Sequence, residues 1–182
     1  KMSFDGVVPT GTTKLEKRGI APRVPQWVSE NCIQCNQCVM ACPHAVIRAA
    51  QITPADVAKA PEGFTCIKST SKNENDLQYR IQVYTEDCTG CGVCVDVCPG
   101  KKKVKALEMK PIAEVNATGE VARTTYFNAL PENFEGVNLK TFKGAQFIKP
   151  LFEFSGACAG CGGTPYVKLM TQLCGKSIVA AN

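Results

Sequence analysis

The clearest periodic stretch runs from Tyr79 to Val83, where Tyr79, Ile81 and Val83 alternate with Arg80 and Gln82. A period of two predicts a strand with one buried and one wet face, delivering Thr85 to Asp87 into the following loop. Three shorter apolar stretches predict strands as well. Val24 to Val28 contains Pro25 and Trp27, and proline confines it to a sheet edge; Ala45 to Arg48 leaves a turn ended by Pro43; Leu107 to Lys110 is stopped by Pro111. Thr53 as N-cap, Pro54 at the first helical position and Asp56 in the first turn start a helix that Pro61 and Gly63 end. Thr164 and Pro165 start another, with Val167, Met170 and Leu173 facing inward and Gly175 as its stop. Ser177 to Ala181 follows as an apolar strand, so an α/β unit opens there.

Elsewhere the pattern is thin. Residues 1–24 carry Gly6, Pro9, Gly11, Gly19 and Pro22 without a sustained period and read as an extended arm, and Ser69 to Asp76 is a polar loop. Residues 112–154 run weakly periodic through Pro131, Gly136, Gly144 and Pro150, a connecting arm. Its aromatics, from Tyr126 and Phe127 to Phe152 and Phe154, exceed what a free linker needs, so the arm is expected to lie against a surface outside this chain.

A chain of 182 residues, 45% apolar, suits one ordinary domain or two small ones and is not a disordered polypeptide. The first thirty residues lack a leader pattern and no stretch approaches the roughly eighteen apolar residues of a membrane span. The expected setting is cytoplasmic, or an organelle matrix in a eukaryote, with no membrane partner. The formal charge is +5, but no aromatic-interleaved basic stretch points to nucleic acid.

Cysteine changes the picture. Of twelve, eight fall in two runs of the form C-x-x-C-x-x-C-x-x-x-C-P: Cys32, Cys35, Cys38, Cys42 before Pro43, and Cys88, Cys91, Cys94, Cys98 before Pro99. This spacing wraps thiolates around a 4Fe-4S cubane, with the fourth Cys of each run ligating the other cluster. Cys32, Cys35, Cys38 and Cys98 are thus expected to hold cluster one, and Cys88, Cys91, Cys94 and Cys42 cluster two. Secreted disulfides and two four-Cys zinc sites are the competing readings, and the doubled run ending in C-P argues against both. Two clusters of about −2 each would bring the formal charge to about +1.

Around the runs several side chains have two readings. The second loop has Gly90 and Gly92 where the first is read to have Gln34 and Gln37; glycine admits N–H groups close to the sulfides, so the two potentials should differ. His44, the single histidine, is a partly exposed structural imidazole or a proton-coupled tuner. Trp27 packs on the core or relays electrons. Residues 43–87 exceed what a minimal ferredoxin needs between its runs and form an insertion, in which lone Cys66 reads as a buried small hydrophobe. Lys101, Lys102, Lys103 and Lys105 are a solvated run or a field steering an acidic acceptor toward cluster one. Cys158 and Cys161 form a C-x-x-C, which serves zinc, redox and cluster sites alike; Cys174 is a third thiol or a packing contact.

With these residues in view the chain resembles pyruvate:ferredoxin (or flavodoxin) oxidoreductases over nearly all its length. The resemblance rests on Val24-Pro25-Gln26-Trp27-Val28, on Glu30-Asn31-Cys32-Ile33-Gln34-Cys35-Asn36-Gln37-Cys38, on the second cysteine run, and on Phe154-Ser155-Gly156-Ala157-Cys158 through Thr164-Pro165-Tyr166-Val167-Lys168-Leu169. It implies an α+β fold: a bacterial two-cluster 4Fe-4S ferredoxin-like domain over 25–111 with an insertion, flanked by extended arms at 1–24 and 112–154, then the first α/β element of a thiamine-diphosphate-binding domain at 155–182. The complete enzyme so implied converts pyruvate and CoA to acetyl-CoA and CO2. It passes electrons singly through three 4Fe-4S clusters to ferredoxin or flavodoxin, uses thiamine diphosphate with Mg, and is homodimeric. By position Cys158 and Cys161 match two ligands of the third cluster, whose remaining ligands would lie beyond Asn182. Gly163 stands where the family usually has Glu, and Cys174 where it has Phe. The segment alone is expected to transfer electrons and not to turn over pyruvate. A freestanding two-cluster ferredoxin is the alternative, against which the opening α/β unit argues.

Overall fold

The computed structural model describes residues 4–6, 11–72 and 74–179. Two antiparallel sheets carry the fold. Strand β1 (Arg23–Trp27) pairs with β5 (Leu107–Pro111), Trp27 opposite Leu107. With only two strands each has a free edge, so Pro25 is tolerated opposite Met109. The second sheet has the order β2-β4-β3, from β2 (Ile47–Ile52), β3 (Ile67–Lys68) and β4 (Gln78–Val83), with Ile47 opposite Val83. Each cysteine run contains a single-turn helix, α1 (Gln37–Ala41) or α3 (Val93–Asp96). A unit of strand, cysteine loop, helix and strand therefore occurs twice, and the first strand of each unit pairs with the last of the other. That interleaving is what carries each fourth cysteine across to the opposite loop.

Several expectations change on folding. β2 begins at Ile47, because Ala45 takes a left-handed φ of 56° that a strand cannot contain. Helix α2 (Pro54–Val57) starts as expected, Thr53 Oγ1 accepting from the Asp56 N–H at 3.2 Å, but lasts one turn. The Ala58 N–H is shared between the Pro54 and Asp56 carbonyls, so the ladder tightens and stops well before Pro61. β4 is not half wet: Arg80 and Gln82 are buried along with Tyr79, Ile81 and Val83.

The reason lies in residues 112–154. They form α4 (Ile112–Ala117), α5 (Glu120–Ala129) and α6 (Phe142–Ala145), and they cover this chain's own sheet instead of an external surface. From α5, Glu120 Oε1 accepts from Gln82 Nε2 at 2.6 Å and lies 3.9 Å from Arg80 Nη2. Phe147 meets Tyr79 edge-on at 6.1 Å, and Phe154 lies 5.5 Å from the Tyr84 ring. Phe147 and Phe154 are thus core residues, with Phe127 and Phe134 packed against the core and Phe142 left exposed; a fully buried aromatic is worth about 2–3 kcal/mol. The N-terminal arm holds a 3-10 turn at Thr12–Leu15 and is tied to the second loop by Lys17–Asp87 at 2.5 Å and Gly19 N to Glu86 O at 2.8 Å; Pro9 lies outside the described residues.

Helix α7 (Thr164–Cys174) has the expected bounds and the opposite face. Val167, Met170 and Leu173 are exposed, while Thr164, Lys168 and Gln172 are buried. The polar stripe turns inward because it finds backbone acceptors there, Gln172 Nε2 donating to Ile148 O at 2.7 Å. After it, Gly175–Ser177 is a 3-10 turn and residues 177–179 form no strand; the remainder of the expected Ser177 to Ala181 strand lies outside the described residues.

Candidate iron–sulfur centres

The two cysteine loops curl through paired left-handed residues. Gln34 and Asn36 have φ of 57° and 60°, and Gly90 and Gly92 have 72° and 77°. The counterpart of Gly92 is therefore Asn36; Gln37, expected there from the sequence, is the first residue of α1. A left-handed residue with a Cβ costs roughly 1–2 kcal/mol. Loop one offsets this with side-chain bonds: Gln34 Nε2 donates to Lys68 O at 2.7 Å, and its Oε1 accepts from Thr70 N at 2.9 Å. Asn36 Nδ2 donates to Lys143 O at 2.9 Å, and its Oδ1 accepts from Tyr79 Oη at 2.6 Å. Loop one is thus held by Lys68, Thr70 and Tyr79 from between the two runs and by Lys143 from residues 112–154. Loop two uses glycine; a Cβ on Gly90 would sit 3.0 Å from Arg23 O.

The curled loops leave two cavities. One is lined by Cys32, Cys35, Cys38 and Cys98; the other by Cys42, Cys88, Cys91 and Cys94. The thiols also feel one another. Burial first, then Cys32, Cys35 and Cys98, pushes the Cys38 thiol far up; burial first, then Cys42 and, from the neighbouring cavity, Cys38, raises Cys94. Cys88 is pushed up to about 11 by burial, against the Gly90 N–H. Thiolates in such places need a cationic partner, and assembly around iron would release their protons.

Donors already point inward. Gln34 N–H lies 3.4 Å from Cys32 Sγ, Gly90 N–H 3.3 Å from Cys88 Sγ, and Ala106 N–H 3.3 Å from Cys98 Sγ. Three buried polar atoms at the cavities have no hydrogen-bond partner: Trp27 Nε1 at the first, and His44 Nε2 and Thr89 Oγ1 at the second. Trp27 Nε1 falls short of a well-formed bond to Cys32 yet still lowers that thiol, whose net shift is upward through burial. Four thiols, inward N–H groups and orphaned polar atoms fit a sulfur-rich, anionic cluster in each cavity. Among the described residues no three His, Cys, Asp or Glu side chains converge as a single metal ion requires.

The other singled-out residues fall as follows. His44 is fully buried, not partly exposed, because Phe154 and Ser155 strap over it: Phe154 N donates to His44 O at 2.9 Å, and His44 Nδ1 lies 3.0 Å from Ser155 O. Trp27 packs edge-on against Tyr79 at 6.3 Å. Cys66 is half-buried, its thiol pushed to about 11 by burial. Cys174 is exposed on α7 and does not pack inward. The loop of Cys158 and Cys161 closes with Cys161 N to Cys158 O at 3.1 Å, and the N–H groups of Thr164 and Gly163 lower the Cys161 thiol. It lies close to loop two, where a Cβ on Gly160 would come 3.8 Å from Cys91 Cβ and Val93 Cγ2.

Two lysines were not read as structural. Lys105 Nζ donates to Val95 O at 2.5 Å and Asp96 O at 3.1 Å, leaving Lys101, Lys102 and Lys103 as the exposed remainder of the run. Lys168 Nζ donates to Val39 O, to Met40 O at 2.8 Å and to Cys42 O at 3.2 Å. Burial lowers its ammonium to about 8, Cys42 opposing. The signal for Lys168 was the i, i+4, i+8 stripe of Thr164, Lys168 and Gln172, as periodic as the apolar stripe beside it.

Two cavities with crossed four-thiol linings define a double-cluster iron–sulfur protein, and residues 31–101 match the 4Fe-4S double cluster binding domain. Over 98% of its length the chain is 57% identical to the pyruvate:ferredoxin oxidoreductase of Moorella thermoacetica and 45% identical to the pyruvate-flavodoxin oxidoreductase of Trichormus variabilis. Over its full length it is 46% identical to the mitochondrial pyruvate dehydrogenase [NADP(+)] of Euglena gracilis. The chain spans 15% of the first two relatives and 10% of the third. It is homologous to a segment of the pyruvate:ferredoxin and pyruvate-flavodoxin oxidoreductases and is a 4Fe-4S electron-transfer module.

Proposed function

We propose that Cys32, Cys35, Cys38 and Cys98 hold one 4Fe-4S cluster and Cys42, Cys88, Cys91 and Cys94 the other, within an oxidoreductase acting on pyruvate and CoA. The observation that carries this reading is the crossed membership of the two cavities. Each cluster, when bound, supplies a one-electron couple spread over its irons. This chain's residues supply the rest: thiolates, the N–H groups of Gln34, Gly90 and Ala106, and the apolar wall of Val46, Ile47, Tyr79 and Leu107 that keeps water out.

The nearness of Gly160 to Cys91 and Val93, each 3.8 Å from where a Cβ on Gly160 would lie, supports entry of electrons at cluster two, from a third cluster of which Cys158 and Cys161 supply two ligands. Exit is at cluster one, where the exposed Lys101, Lys102 and Lys103 follow Cys98 and suit an acidic ferredoxin or flavodoxin, the acceptors in the relatives' names. Thiamine diphosphate with Mg, the third cluster's other ligands and a homodimeric assembly belong to the parent polypeptide, in the cytoplasm or an organelle matrix. No described helix is long and apolar enough to cross a membrane.

Iron and acid-labile sulfide analysis of anaerobically prepared protein tests the ligand assignment. About eight of each per two-cluster segment are expected, four per cubane, beyond those of any third cluster. About two zinc ions without sulfide would overturn it. In the parent enzyme, pyruvate with CoA should reduce both clusters; reduction by neither would remove the pyruvate assignment.

A further inference from the structure

We propose that Lys168 sets the reduction potential of the cluster held by Cys42, Cys88, Cys91 and Cys94, acting through the turn that carries Cys42. This rests on the ligand assignment above and adds a positioning residue from outside the two cysteine runs.

Helices α1 and α3 each end in carbonyls that have no partner within the helix. On α3 the acceptors Val95 O and Asp96 O receive Lys105 Nζ. In the register of the two runs their counterparts on α1 are Val39 and Met40, and both carbonyls receive Lys168 Nζ, which also reaches Cys42 O at 3.2 Å. One capping arrangement thus occurs twice about the internal repeat, beside each cysteine that crosses to the other loop. The two lysines have unrelated origins: Lys105 follows the second run directly, whereas Lys168 comes from α7.

The environments differ in a way that decides the effect. Lys105 is exposed, and water screens its charge; Lys168 is 1% exposed. The other buried cation nearby, Arg48, is neutralised by Glu153 at 2.5 Å. Among the described residues no carboxylate forms an ion pair with Lys168, so its charge acts on the Cys42 turn uncompensated. Reduction adds one negative charge to an anionic centre, and a buried ammonium beside a ligand favours that state. The same side chain fastens α7, and with it the loop of Cys158 and Cys161 that opens the helix, against cluster two.

EPR-monitored redox titration of the intact parent oxidoreductase tests this, with Cys42→Ser marking which signal belongs to cluster two. Lys168→Met should lower that centre's reduced-to-oxidised ratio at fixed potential by at least tenfold, about 59 mV for one electron. Lys168→Arg should retain the wild-type value, and Lys105→Met should move cluster one by less. Should Lys168→Met lose the cluster, the titration is read on Lys168→Gln, which keeps an N–H donor and lacks only the charge. An unchanged ratio in the uncharged variant, or equal shifts for Lys105→Met and Lys168→Met, would overturn the inference. Absence of two 4Fe-4S signals in the wild type would instead remove the ligand assignment on which it rests.

Discussion

Replacing Tyr79 by Phe removes one atom and should selectively loosen cluster one. Tyr79 is 1% exposed, and its hydroxyl donates to Asn36 Oδ1 at 2.6 Å. Burial first, then Cys38, holds its pKa well above the usual value, so the donor proton stays in place. The ring keeps its edge contacts with Trp27 and Phe147 in the Phe variant. What changes is Asn36, itself 1% exposed, whose Oδ1 becomes an orphaned acceptor at a cost of about 1–3 kcal/mol. Asn36 must also keep its left-handed φ with one tether fewer. At about 2 kcal/mol, loop one opens about 30-fold more readily, since each 1.36 kcal/mol is tenfold. The assay is anaerobic bleaching of the visible absorbance by an iron chelator, with EPR showing which centre is lost. Cluster one should go about tenfold to a hundredfold faster and cluster two at the wild-type rate. Adding Asn36→Gly should restore part of the loss, as Gly92 does without tethers in loop two. Bleaching at the wild-type rate, or equal acceleration of both clusters, would refute the reasoning.

Other consequences can be checked as directly. A Cβ on Gly100 would lie 1.8 Å from Val104 O with φ at 58°, so Gly100→Ala must displace the backbone that aims Ala106 N–H at Cys98; a loss of about 2–5 kcal/mol is expected, and an unchanged melting temperature would contradict it. Glu120→Ala leaves the buried Arg80 and Arg123 guanidinium groups without their carboxylate, expected to cost about 3–5 kcal/mol by calorimetry; a change under about 1 kcal/mol would show that the network is dispensable. Burial raises Cys66 to about 11, so its thiolate is scarce at pH 8 and grows as pH rises toward that value. Iodoacetamide at pH 8 should therefore label exposed Cys174 and spare Cys66, with Cys66 labelling climbing by pH 10; peptide mass spectrometry showing equal labelling at pH 8 would contradict this.

Run spacing pointed to two crossed sets of cysteines, and the two cavities are lined by those same sets of thiols. Strand positions were legible where alternation or proline marked them, as at Val24 to Val28 and Tyr79 to Val83. Which faces were buried was not. Arg80 and Gln82 look wet until α5 brings Glu120 over them, and that contact joins residues far apart in sequence. Residues 112–154 read as a connecting arm against an outside surface because their helices are short, and their aromatics act through tertiary packing within this chain. On α7 two stripes of helical spacing competed, one by fours and one by threes, and the backbone carbonyls around Cys42 and Ile148 selected the polar one. The equivalence of Asn36 and Gly92 needed φ values, because a residue with a side chain does not announce a left-handed conformation.

The central claim is the crossing itself, and iron anomalous difference maps of crystals of the cluster-loaded protein test it most directly. Two four-iron groups are predicted in this region, one bonded by Cys32, Cys35, Cys38 and Cys98 and the other by Cys42, Cys88, Cys91 and Cys94. Iron groups each held by one contiguous run, or single metal ions in place of clusters, would contradict the account.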